Sequence, residues 1–183
     1  TNFDIQGQYP IIIDSTESEK VNLKSNFKNI NMSFFTQFSK IWKDNLFGTF
    51  TGEFNMGGTT KRTIFDINGK IDNTFYKGVP LGTVKWTGNY RNKTLTFDQF
   101  TSDWSENHIS GSAILPIVYD LAETEKTWHS EGELLVKTEG SFSSAVFLST
   151  FLAETDSIVG DINIKLDVRG PINSLIRDGE ISI

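Results

Sequence analysis

Asp98, Asp103 and Glu106 lie close together around Trp104 and just before His108. Carboxylates beside an imidazole are the material of general acid–base catalysis, provided that burial or a neighbouring charge moves their pKa values toward the working pH. Here the group falls at the ends of alternating segments, where a strand needs polar groups to turn, so it reads as solvated turn residues. Glu123-Thr124-Glu125 and Glu154-Thr155-Asp156 read as loop charges on the same argument. Gly48-Thr49-Phe50-Thr51-Gly52 lacks the lysine and the helix of a phosphate-binding loop. With no cysteine and only His108 and His129, no thiolate nucleophile, disulfide framework, metal centre or cofactor site is expected. Asn31-Met32-Ser33 and Asn92-Lys93-Thr94 match the glycosylation acceptor pattern, which polar chains meet by chance. The expectation is a protein that is not an enzyme.

Any function must then come from surfaces. The 183 residues carry a net charge of −6, which argues against nucleic acid, since displacing counterions from phosphates takes a basic face. Hydrophobic residues are 37% of the chain, low for a compact domain, yet 15 are Phe. No segment approaches the roughly 20 apolar residues of a spanning helix, and no signal-peptide pattern opens the chain. It starts in mid-pattern at Thr1-Asn2-Phe3 and stops within Glu180-Ile181-Ser182-Ile183, so residues 1–183 read as a single fragment of a longer protein.

The elements that position side chains are strands. Apolar and polar residues alternate through Val21, Leu23 and Phe27; Phe50, Gly52, Phe54 and Met56; Phe65, Ile67 and Ile71; and Val84, Trp86 and Tyr90. The alternation continues in Leu95 and Phe97; Ile109, Gly111, Ala113 and Leu115; Leu134 and Val136; and Ile162, Ile164, Leu166 and Val168. A period of two with one wet face predicts antiparallel pairing. Turn chemistry separates the runs at Asn55-Met56-Gly57-Gly58, at residues 89–93 and at Arg169-Gly170-Pro171. The fold class is all-β: an elongated, bent, mostly antiparallel sheet of roughly ten strands.

Two stretches break the alternation. Phe34, Phe35, Phe38, Ile41 and Trp42 recur at helical spacing after Ser33, a candidate N-cap, and Val146, Phe147, Leu148, Phe151 and Leu152 do so after Ser143-Ser144. Each predicts a short amphipathic helix docked on the sheet, since neither has the basic face of a membrane-surface helix.

The text also repeats. Gly48, Phe50, Phe54, Met56 and Gly58 each find a counterpart 112 residues later in Gly160, Ile162, Leu166, Val168 and Gly170. Both runs lead to Gly-X-Ile, as Gly69-Lys70-Ile71 and Gly179-Glu180-Ile181. Repeat units of roughly 21–140 and 141–183 follow, the second cut short, and stacked repeats build an elongated object.

In that order of motifs the chain resembles the TamB and AsmA-like proteins, which bridge the periplasm of bacteria with two membranes. The likeness rests on Phe35 to Phe38, on 48–58 with its glycine at each end, and on Gly69-Lys70-Ile71. It continues through Gly82, Gly88 and Tyr90, through Gly111 to Pro116, and through 160–171 and 178–183. The resemblance implies the β-taco, one long sheet bent into a U-shaped groove with an apolar trough. It implies passage of phospholipid between inner and outer membranes, or assembly and secretion of outer-membrane proteins, with acyl chains or β-strands as cargo. It further implies an outer-membrane barrel partner of the TamA type and a periplasmic location, the parent being anchored in the inner membrane. The groove-lining residues would be Phe50, Phe54, Met56, Val84, Trp86, Tyr90, Leu95, Phe97, Ile109, Leu115, Ile162, Ile164, Leu166 and Val168. Lys85, Thr87, Thr96, Asp98, Asn163, Lys165 and Asp167 should point the other way. The competing reading is a closed structural or adhesive β-sandwich or solenoid with a dry Phe core. Gly52, Gly88 and Gly111 between the large rings favour the trough, because gaps left by small residues would leave lumen.

Overall fold

The structure, a computed structural model, describes residues 2–8, 19–37, 44–119, 128–130, 132–144 and 159–183. Ten strands form one open antiparallel sheet. They are β1 (Asn2–Gln8), β2 (Asn22–Asn31), β3 (Leu46–Thr59), β4 (Arg62–Tyr76), β5 (Val79–Arg91), β6 (Thr94–Trp104), β7 (Asn107–Leu115), β10 (Glu133–Ser144), β11 (Val159–Pro171) and β12 (Ile176–Ser182). They follow one another in that order across the sheet, with β1 and β12 at its edges. Between β7 and β10 the chain makes a separate two-stranded ribbon, β8 (Ile117–Tyr119) with β9 (Trp128–Ser130). The expected all-β, elongated and bent antiparallel sheet is therefore what the chain forms.

Tight turns explain why neighbours in sequence are neighbours in space. Lys77-Gly78 and Asn92-Lys93 join β4 to β5 and β5 to β6, with φ of 50°, 80°, 49° and 62°. Two left-handed residues in succession give the hairpin whose twist matches that of its strands. The Asn55-Met56-Gly57-Gly58 segment, expected to turn, instead continues β3, and the reversal falls at Thr60-Lys61. Its alternation explains this: Met56 is paired with Phe65 and has no reason to leave the ladder. Similarly, β11 runs through Pro171 and turns at Ile172 to Ser174.

The bend has local causes. Two residues of β2, Lys28 and Asn29, stand where β3 has one, Thr51, and Asn29 takes φ 57°. An extra residue in β4 surrounds Asn73, at φ 52°, and another in β6 falls at Asp98-Gln99. Such bulges bend and twist the strands that carry them.

Of the expected first helix, the described part is a single turn, α1 (Ser33–Thr36). Met32 occupies the N-cap position and no side chain caps the turn, so Ser33 is not the cap. Ser33 is the first helical residue, and its N–H donates to Asn31 Oδ1 at 2.9 Å. Phe38, Ile41 and Trp42, and the second helix from Val146 to Leu152, lie outside the described residues.

Gly82 tests the backbone argument. It has φ 64°, and a β-carbon there would stand 2.0 Å from the Asp103 carbonyl oxygen. Gly82→Ala is expected to lose about 2 kcal/mol or more, from strain and collision together, read as a lower urea midpoint at unchanged m-value.

Candidate functional site

Residues paired across antiparallel strands share a face, so the register sorts the side chains. One row runs through Phe3, Phe27, Gly52, Gly69, Trp86, Phe100, Gly111, Thr138, Leu166 and Gly179. Beside it on one flank run Phe54, Ile67, Gly88, Phe97, Ala113, Val136 and Val168. On the other run Phe50, Ile71, Val84, Ser102, Ile109, Gly140 and Ile164. Met56, Phe65, Tyr90, Leu95 and Leu115 make a further row, and Phe142 pairs with Ile162. All fourteen residues expected to line a groove thus stand on one face. Lys85, Thr87, Asn163, Lys165 and Asp167 pair with polar residues of the opposite face, and Thr96 stands there between Asn89 and Ile114. Asp98, in the bulge, accepts a hydrogen bond from Asn89 on that face at 3.3 Å.

Six glycines of this face sit in mid-strand without a left-handed φ: Gly52, Gly69, Gly88, Gly111, Gly140 and Gly179. Five of them are roofed by an aromatic ring. Where a β-carbon would stand on Gly69, Phe50 Cε2 is 2.7 Å away and Trp86 Cζ2 is 2.9 Å away. Phe100 Cζ is 2.5 Å from the corresponding point on Gly111, and Phe142 is 3.0 Å from that on Gly140. The gaps expected to leave lumen at Gly52, Gly88 and Gly111 are filled, because a ring leans over each of these glycines. Rings from different strands consequently touch. Phe50 and Trp86 stack at 5.8 Å with 8° between their planes, and Phe65 stacks on Tyr90 at 4.7 Å. The helical turn joins in, Phe35 meeting Phe27 at 5.6 Å and Phe50 at 5.4 Å, both edge to face. Toward β12 the face becomes aliphatic, with Phe142 and Ile162 buried and Ile109 and Ile164 packed against them.

Sequence reasoning missed Phe100 and Ile30. Strict alternation from Phe97 or Phe27 puts both on the wrong face, and the bulges restore them to the apolar one. Asn29 and Asn73 at positive φ are the signal that could have found such bulges, since Asn tolerates that conformation. Phe3, Ile5, Phe65, Ile67 and Ile71 also belong to the face by register.

The opposite face is mainly polar, with exposed Phe47, Ile64, Phe75 and Ile114 among its charged residues, and carries shallow grooves that cross the strands. One of about 780 Å³ runs from β1 to β5 between Lys28, Thr51, Lys70 and Lys85 on one side and Asn26, Glu53, Asn68 and Thr87 on the other. Lys70 and Lys85 stand directly opposite each other, a repulsive pair. Asp72 relieves it. Its carboxylate lies 2.6 Å from Lys70 Nζ and accepts from Thr83 Oγ1 at 3.3 Å. The Lys70 hydrogen bond, opposed by the cost of burial and reinforced by the Lys70 charge, Thr83 and Lys85, holds the Asp72 pKa below the ordinary carboxylate value.

Among the described residues with catalytic chemistry, the structure joins Asp103 and His108. His108 Nδ1 is 2.6 Å from Asp103 Oδ1 across the β6–β7 hairpin, both half exposed. Asp98 is engaged with Asn89, and Glu106 lies in the exposed turn. Among the described residues no helix is long and apolar enough to cross a membrane. No protein-family model, curated protein or solved structure matches the chain.

Two outcomes are expected. Gly69→Ala should cost about 1–3 kcal/mol, because both rings must move, whereas Gly57→Ala on the polar face, 3.7 Å from Ile64, should be close to neutral by chemical denaturation. Asp72→Asn should lower stability slightly at pH 7, by about half a kcal/mol for so exposed a pair. A depressed carboxylate pKa stabilises above its unfolded value, about 3.9, and that contribution is lost as pH falls through the lower folded value. The melting difference between Asp72→Asn and the unmodified chain should therefore close in strong acid and persist at neutral pH.

Proposed function

We propose that the chain is an apolar-face module of the TamB and AsmA-like kind, holding phospholipid acyl chains or the strands of outer-membrane proteins without catalysis. One observation carries the reading: a hydrophobic surface continuous in register over ten strands, with no second large sheet among the described residues to cover it. A face of that extent is far larger than soluble proteins ordinarily leave open, and such faces mark interaction sites. The periplasmic setting and the barrel partner come with the family resemblance and are proposed on that ground. Among the described residues the one other ribbon, β8 with β9, has three residues per strand, which gives the sandwich reading little support.

Mass spectrometry of organic extracts from the purified protein tests the reading, with co-purifying phospholipid expected. Two substitutions separate binding from folding. Ile162 is fully buried, so Ile162→Asp should cost several kcal/mol for an unpartnered carboxylate. Ile164, one step along the same strand face, is only half-buried. Ile164→Asp should cost about 1–2 kcal/mol of lost apolar contact while abolishing lipid retention. Unfolding by Ile164→Asp, or lipid retained alongside it, would remove the basis for the proposal.

A further inference from the structure

One end of the mainly polar face is cationic, although the chain as a whole carries a net charge of −6. Lys20 stands opposite Thr59, and Thr59 opposite Arg62. Phe65 stands opposite Tyr90, and the same register carried three residues further brings Arg62 level with Lys93. A line across this end of the sheet therefore reads Lys20, Thr59, Arg62, Lys93, its three cations exposed. Lys61 lies in the turn beside it. Of the nearby carboxylates among the described residues, Glu19 precedes Lys20, and Asp66 is already held by Arg91 at 2.6 Å. At the other end of β3 to β7 the sign is reversed, with Asp44, Asp72, Asp103 and Glu106 set against Lys70 and Lys77.

The cationic end also holds an apolar group. Ile64, two residues along β4 from Arg62 and on the same face, is 39% exposed. Its partner across the ladder is Gly57, which has no side chain to cover it. Cations gathered about an exposed aliphatic side chain suit an anionic bilayer: phosphates meet the ammonium and guanidinium groups, and the aliphatic group enters the interface. A nucleic acid would use the cations alone, and the carboxylates elsewhere on the face would repel so long a polyanion. We infer that this end of the polar face docks on a membrane surface bearing anionic phospholipid, with Arg62 and Lys93 on lipid phosphates and Ile64 inserted between them. The contact is separate from any cargo on the apolar face and holds whether or not that face carries lipid.

Flotation of the whole chain with vesicles of phosphatidylcholine, with and without phosphatidylglycerol, tests this. Binding is expected only where phosphatidylglycerol is present, and it should fall as added salt shortens the reach of charge. Arg62→Gln and Lys93→Asn each remove an exposed cation, and Asn suits the φ of 62° at position 93. Each should weaken binding about fivefold, and the pair about 25-fold, the scale of a basic residue beside an anionic surface. Ile64→Thr keeps a β-branched residue in the strand and should weaken binding about threefold. Lys85→Gln, the same loss of charge outside the patch, should leave binding unchanged, and all four variants should remain folded by thermal melting. The Arg62→Gln and Lys93→Asn pair should also keep whatever phospholipid the unmodified chain retains on purification; losing both would merge the two sites and overturn the inference. Equal binding to uncharged vesicles, binding that survives the paired substitution, or absence of binding would overturn it too. So would heparin or duplex DNA bound as tightly as the vesicles, or release of the vesicles by inorganic phosphate, either of which would make the patch a general anion site.

Discussion

A ring lying over a glycine is the contact on which this structure turns. Among the described residues no second large sheet lies against the apolar face, so apart from the contacts of Phe35 in α1 the large side chains find their neighbours within their own layer. Phe50 and Trp86 belong to strands two positions apart, yet they stack at 5.8 Å because Gly69 stands between them with nothing to hold them apart. Glycine in a strand normally weakens it, through chain entropy and missing contact. Here the loss is offset by ring surface taken out of water and by the stacking itself, worth about 0.5–1.5 kcal/mol beyond area. The same device is repeated at Gly111 and Gly140, and Tyr90, 3% exposed, is buried within the same sheet against the ring of Phe65.

The polar face solves the opposite problem. Backbone pairing forces residues of adjacent strands into direct opposition, so the charges there cannot choose their neighbours independently. Lys70 against Lys85 is the visible conflict, and Asp72, two residues along on the same face, neutralises it at short range. Arg91 is handled otherwise: it pairs with Asp66 at 2.6 Å and also donates to the carbonyls of Phe65 and Tyr90, fixing the strand end beside the aromatic stack. With exposed Asp and Glu residues distributed between these pairs, the net negative charge discourages two such sheets from meeting polar face to polar face.

Most of the architecture could be read from alternation alone, because a period of two is the one pattern that names both the element and its face. That reading held for Phe50 to Met56, Val84 to Tyr90, and Ile162 to Val168, and for Ile109, Ala113 and Leu115 of β7, whereas Phe47 and Ile114 fall on the other face. It failed where a strand carries an extra residue. Phe97 and Phe100 are three apart and still share a face, since Asp98 and Gln99 together oppose one residue of β7. Bulges are set by the mismatch of two strands, and no single strand's text contains that mismatch. The glycines misled for a related reason. Their spacing is visible in sequence, but which ring leans over each depends on a neighbouring strand and on a rotamer.

The repeat shows how such a sheet tolerates change. Gly48 and Gly160 take φ of 144° and 148°, and Gly58 and Gly170 take 88° and 113°, so the matched glycines do matched work at the two ends of β3 and β11. The hairpins that follow nevertheless differ in register. Gly69 lies opposite Gly52, whereas its counterpart Gly179 lies opposite Leu166, the counterpart of Phe54. The second pairing has slid by two residues, following a turn longer than Thr60-Lys61. A slide of one would have turned every apolar side chain of β12 to the polar side; a slide of two leaves both faces intact. Because an open sheet imposes no shear that must sum to closure, each hairpin can choose its own even-numbered register without consequence for the others. What is conserved between the two units is then the face and not the partner. A glycine can therefore arrive opposite a leucine in one unit and opposite another glycine in the other.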